Sequence, residues 1–175
     1  MKSRAPSVQV AQVFESILSQ TMRHVASAHG EAAAHHLFFE LYDHTFAFLE
    51  REFGRDAVVQ YWNFIADNQL GVLEDLMKRK GFAGMEEYWR ATLGQEGADY
   101  TMKRTRHSFA VRVKRCPPNE WFKSRKIAKY PAYCEHCRTL YQRVGERCGY
   151  RMEYFPPDQK AGTCCGIKFV KNPSA

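Results

Sequence analysis

Phe109-Ala110-Val111-Arg112-Val113-Lys114 is the stretch where the hydrophobic period of this chain changes. Phe109, Val111 and Val113 alternate with Ala110, Arg112 and Lys114, the period-two pattern of a strand with one buried face. Residues 100–104 read as its partner strand, with a turn near Thr105-Arg106. Downstream, Pro117-Pro118 excludes the interior of a strand or helix. Residues 132–147 then return to a helical period, placing Tyr133, Cys137, Leu140, Tyr141, Val144 and Cys148 near one stripe, and Gly149 closes that helix. Residues 151–155 and 165–170 read as two further strands, joined by a turn containing Pro156-Pro157-Asp158. The order ββαββ predicts a small antiparallel sheet with a helix packed on one face. Residues 172–175 read as a loose tail.

Upstream of Gly97 the period is that of helices. Val10, Val13, Phe14, Ile17, Leu18 and Val25 form one apolar face. A second helix runs from Glu31 through Leu37, Phe38, Leu41, Phe46, Phe48 and Leu49 and ends at Gly54, where glycine suits a left-handed cap. A third is expected over residues 56–80, stopped by Gly81, although its apolar register shifts at Leu70-Val72-Leu73. A short fourth helix over 85–93 carries Tyr88 and Trp89, and Gly94 and Gly97 mark the boundary. The fold class is therefore α+β. A helical segment, 1–97, is followed by a Cys-rich basic α+β segment, 98–175, the two forming one compact domain.

The 175 residues are 45% hydrophobic and 26% charged, which excludes collagen-like and low-complexity classes. No run approaches the roughly 18 apolar residues of a membrane span, and Gln9, Gln12 and Glu15 interrupt any secretory signal. The expected compartment is the cytoplasm, with free thiols. Charge is unevenly placed: residues 1–100 hold 9 Lys+Arg against 14 Asp+Glu, residues 101–175 hold 17 against 5, and the total is +7. The basic tract of Arg104, Arg106, Arg112, Lys114, Arg115, Lys123, Arg125, Lys126 and Lys129 has several readings. It could bind the acidic helical half, a second subunit or a substrate carboxylate. Without a helix-turn-helix, RNA-recognition or complete zinc-finger signature, nucleic acid is the weaker reading. The sequence leaves a homo-oligomer open.

All six cysteines fall between Cys116 and Cys165. One reading is a zinc site: Cys134 and Cys137 have ligand spacing, and Cys164 and Cys165 could complete a thiolate set. A second is a dithiol redox pair, which the position of the C-x-x-C far inside the chain disfavours. A third is a nucleophile, either Cys116, which ends a strand in a basic segment, or Cys134, in the first turn of a helix. Cys137 and Cys148, on the apolar stripe, are read as packing residues. His107 and His136 lie near the cysteines in sequence and could serve as base or orienting group. His35, His36 and His44 lie on a helix without an H-E-x-x-H pattern.

A longer pattern joins these pieces. Tyr61-Trp62 with Ile65-Ala66, Glu87-Tyr88-Trp89, Glu96-Gly97, Tyr100, Val111-Arg112-Val113, Cys116-Pro117, Glu120, Tyr133-Cys134, Gly162 and Cys164-Cys165 follow one another over residues 30–169. This succession resembles the L-2-amino-thiazoline-4-carboxylic acid hydrolase family. The resemblance implies a hydrolase that opens a small cyclic amidine by attack at the carbon between ring sulfur and two nitrogens, using a thiolate or an activated water. It implies Cys116 or Cys134 as nucleophile, His107 or Glu120 as proton carrier, Arg106 or Arg112 on the substrate carboxylate, and Tyr133 and Cys165 in the same pocket. No cofactor is required, although the extra thiols leave zinc open. The late glycine-and-cysteine strand also faintly resembles vinyl-reductase-type small-molecule-binding domains. That gives the other expectation, a non-enzymatic sensor or carrier with a structural zinc-thiolate site.

Overall fold

The computed structural model describes residues 8–157 and 164–172. The helical segment comprises α1 (Val8–His29), α2 (Glu31–Phe53), α3 (Arg55–Asn68), α4 (Gly71–Lys80) and α5 (Phe82–Gln95). Then follow β1 (Asp99–Arg104), β2 (Ser108–Arg115), α6 (Pro117–Arg125), α7 (Glu135–Arg147), β3 (Tyr150–Phe155) and β4 (Cys165–Lys171). The strands form one antiparallel sheet in the order β1-β2-β4-β3. The fold is α+β, as the change of period predicts. Among the described residues no helix is long and apolar enough to cross a membrane.

The sheet is amphipathic because paired residues of neighbouring strands share a face. Phe109 pairs with Phe169, Val111 with Ile167 and Val113 with Cys165, and this face turns toward the helices. Arg112, Ala110 and Lys168 alternate onto the other face. There the Arg112 guanidinium lies 3.6 Å from the centre of the Phe155 ring, and Lys168 bonds Glu153 at 3.1 Å. On the inner face α5 packs over β1 and β2, and α7 packs over β3 and against α3. Trp89 of α5 meets the rings of Phe109, Phe169 and Tyr141 at 5.0–5.6 Å. One apolar core runs from Phe46, Trp62 and Leu73 in the helices to Phe109 and Phe169 in the sheet, all essentially inaccessible to water. Each such side chain contributes about 1.5–3 kcal/mol on burial, so the two segments share a core.

Three elements differ from the sequence expectation. The helix expected over 56–80 is two helices, broken at Gln69–Leu70, where the apolar register shifts. The fourth helix extends to Phe82–Gln95. Helix α6 is an addition to the sequence expectation: Pro117-Pro118 stays out of a helix interior, as expected, and opens α6. The two prolines occupy its first positions, where an N–H would have no intrahelical partner and the fixed φ already suits a helix. Asp158 of the expected β3–β4 turn, Gly162 and residues 173–175 of the expected tail lie outside the described residues. Asn172 is tied down by its N–H to the Gly149 carbonyl at 2.9 Å.

Part of the basic segment does bind the acidic helices. Arg143 and Arg147 bond Asp67, Arg147 also reaches Glu74 at 2.6 Å, and Arg104 bonds Glu86 at 2.6 Å.

Candidate functional site

Between the sheet's inner face and the helices lies a cavity of about 560 Å³. Its far wall is apolar and comes from the helical segment, with Leu18, Met22, Phe38, Phe39, Ile65 and Leu70. Its near wall holds Cys116, Cys134, Cys137, Cys164 and Cys165 together with Tyr133 and His136. The fold explains the gathering. Cys116 follows the last residue of β2 and caps α6, Cys165 opens β4 beside Val113, and Cys134 and Cys137 lie one helical turn apart at the start of α7.

The thiols differ in their surroundings. Burial pushes the Cys116 thiol up to about 12, which the facing Asn119 N–H only partly offsets. Burial pushes Cys165 up to about 11 and Cys137 well above the ordinary thiol range. Cys134 lies closest to a cation among the described cavity thiols: the Lys129 ammonium donates to its sulfur at 3.2 Å. Lys129 also donates to the Asn119 side-chain oxygen, which lies 3.8 Å from the Cys134 sulfur, while the Asn119 amide points to Cys164 at 3.8 Å. A thiolate here would gain a charge-assisted hydrogen bond and the positive end of α7.

Lys129 is held in place from far along the chain. The N–H of its neighbour Tyr130 donates to the buried Asp43 carboxylate at 2.6 Å. The Tyr130 hydroxyl donates to Glu50 and accepts from Arg55 at 2.6 Å, and Arg55 also bonds Glu135 of α7 at 2.7 Å. The loop between α6 and α7 is thus stapled to α2 and α3.

His136 sits beside Cys137, whose sulfur is 3.4 Å from Nε2. Its Nδ1 faces the Tyr133 carbonyl, which assigns the proton to Nδ1 and leaves Nε2 as acceptor. Burial lowers the imidazole to about 4, so it is neutral at physiological pH. Two carboxyls also line the cavity. Glu15 is closed off by the Tyr61 hydroxyl. Glu96 caps α5; its carboxyl makes no hydrogen bond or ion pair among the described residues, and burial raises it to about 7.

A second void of about 570 Å³ adjoins the first. His35, Phe39, Glu96 and Pro117 line both. Its own wall includes Arg115, Glu120 and Trp121, with the Trp121 ring stacked on His36 at 3.7 Å.

Of the residues singled out from sequence, Cys116, Cys134, Tyr133 and Cys165 meet in the cavity. Glu120 lines only the adjoining cleft. Arg106 and His107 sit in the exposed β1–β2 turn, with Arg106 Nε donating to His107 Nε2 at 2.6 Å. That turn is at the opposite end of β2 from Cys116, so proximity in sequence did not translate into proximity in space. Arg112 faces away from the cavity for the reason that Val111 and Val113 face it, the alternation of a strand. Cys134, Cys137, Cys164 and Cys165 share the wall, yet among the described residues no three His, Cys, Asp or Glu side chains converge as a metal-binding group. Sequence reasoning passed over Asn119 and the particular role of Lys129, because both lie outside any periodic pattern. Cys137, read from sequence as packing or as a candidate zinc ligand, lines the cavity beside His136.

Comparison with family models and with curated proteins finds no match. The family resemblance therefore rests on the order of the residues quoted for it.

Proposed function

We propose that the protein is a hydrolase that opens a small cyclic amidine, with Cys134 as nucleophile. The observation that carries this reading is the Lys129 ammonium 3.2 Å from the Cys134 sulfur at the N-terminus of α7, where that sulfur lines the cavity. The thiolate adds to the amidine carbon, and the ring C–S bond breaks as the ring sulfur leaves with the electron pair and takes a proton. This leaves an amidino thioether on Cys134. Water then adds to the same carbon, the Cys134 thiolate is expelled, and a ring-opened carbamoyl thiol departs, with one water consumed overall. Glu96 is the carboxyl available for the proton transfers, since its burial places it near neutrality. Cys116 is the poorer nucleophile, because burial holds its thiol protonated.

The test is turnover of 2-amino-2-thiazolines, read as release of a new thiol, in the wild-type protein and in Cys134→Ser. Ring opening lost in the variant supports the reading. Equal rates, or none in either protein, reject it. A non-catalytic carrier is the second reading, favoured by the extent of apolar wall; it predicts tight binding of such compounds with no thiol released.

A further inference from the structure

The charge of the cavity wall bears on what enters it. Among the described residues no lysine or arginine lines it, and Arg106 and Arg112, the cations expected for a substrate carboxylate, lie elsewhere. Lys129 stands against Cys134 and Asn119 and is not itself part of the wall. His136 is neutral, with its Nδ1 committed to a backbone carbonyl. A ligand carboxylate inside would find only the Lys129 ammonium nearby, behind the wall and already bonded to Cys134 and Asn119, and burying a charge without a free partner is unfavourable. The fixed anions are Glu15, already bonded by Tyr61, and Glu96, whose carboxyl has no partner among the described residues. Glu96 stands where the cavity meets the adjoining cleft, close enough to Cys137 and Tyr88 for its charge to disfavour their ionisation. A base entering past Glu96 would meet an unpaired carboxylate first and the thiols beyond it.

Size points the same way. A volume of about 560 Å³ is that of a site for a drug-sized ligand. A single five-membered ring at the thiols would leave the Leu18, Met22, Phe38, Phe39, Ile65 and Leu70 wall facing empty space. The apolar wall and the thiol wall belong to one cavity, so one molecule can span both.

Resting on the ring-opening reading above, we propose that the substrate is a cyclic amidine without a carboxylate, carrying a hydrophobic substituent, whose amidinium pairs with Glu96 while the substituent occupies the helical wall. The chain would then act on lipophilic bases and discriminate against the amino-acid-like thiazoline of the family it resembles. The discrimination is electrostatic: the same position that welcomes a phenyl group rejects a carboxylate.

The test is calorimetric titration of Cys134→Ser at pH 7.5 with three probes: 2-amino-2-thiazoline, its 4-phenyl derivative and its 4-carboxylate. The phenyl compound should bind at least tenfold tighter than the parent, and the carboxylate at least tenfold weaker. Adding Glu96→Gln should cost the phenyl compound tenfold or more. Tightest binding of the carboxylate, indifference to Glu96→Gln, or no binding by any probe would overturn the proposal. Should Cys134→Ser fail to fold, wild-type protein alkylated at Cys134 with iodoacetamide replaces it. Binding in the expected order without ring opening by the wild-type protein would reject the hydrolase alone and leave the ligand class standing.

Discussion

The Lys129 ammonium donates to both the Cys134 sulfur and the Asn119 oxygen, so one cation joins the loop after α6 to the first turn of α7. Cys134 should therefore be the thiol that iodoacetamide reaches first at neutral pH. A charge-assisted hydrogen bond of about 1.5–3 kcal/mol corresponds to about ten- to a hundredfold in rate, and Lys129→Met should slow alkylation of Cys134 by that factor. Peptide mass spectrometry over a time course gives the rate of each cysteine. Earlier modification of Cys116, or a rate unmoved by Lys129→Met, would reject the assignment.

Asp43→Ala removes the acceptor of the buried Tyr130 N–H. Leaving that donor unpaired should cost about 1–3 kcal/mol, visible as a lower midpoint in urea. The same substitution should slow alkylation of Cys134, because the loop bearing Lys129 loses its anchor. Full stability with a slowed thiol, or the converse, would separate the two roles assigned to this bond.

Glu96 links stability to pH. Its carboxyl sits at about 7 in the folded protein against 4.5 ordinarily, because burial disfavours the charge. Between those values the folded state binds more protons than the unfolded one, so stability falls as pH rises from about 4.5 to about 7 and levels off above. Glu96→Gln stays neutral. Its advantage over the wild type should be absent near pH 4 and grow to about 3 kcal/mol by pH 8. Urea unfolding across that range measures it, and a difference independent of pH would contradict the burial of this carboxyl.

Gly84 lets α5 approach α4. A Cβ there would lie 2.1 Å from the Leu76 carbonyl oxygen, and backbone cannot swing aside as a side chain can. Gly84→Ala should cost about 3 kcal/mol or more and shift the thermal midpoint downward. An unchanged midpoint would mean that the two helices can part without penalty.

The alternation from Phe109 to Val113 was sufficient to place β2 and, through it, the sheet and its buried face. The helices were legible wherever one apolar stripe persisted. The register shift at Leu70-Val72-Leu73 was visible as an irregularity, yet only packing turns such a shift into a break between α3 and α4. Pro117-Pro118 kept its place outside any helix interior, but the pair gave no sign of α6 beginning there, since the start of a helix is one place where its missing N–H is harmless. In the site, clustering of the cysteines along the chain did carry over into space. The cations and bases do not follow: His107 is near Cys116 in sequence but a full strand separates them in space, and Arg106, which the family resemblance puts on the substrate carboxylate, sits in the same exposed turn. Lys129 depends on contacts with Asp43 and Glu50, at separations of 87 and 80 residues from Tyr130, which no local pattern encodes.

That long reach has a kinetic meaning. A chain that has formed its hairpin and α7 but has not yet seated α2 leaves the Cys134 sulfur without its ammonium partner, because nothing fixes Lys129 beside it. Reactivity at this sulfur would then be the last property acquired during folding and the first lost on partial melting. The rate at which Cys134 becomes reactive after dilution from denaturant would serve as a built-in clock for the closing of the whole molecule.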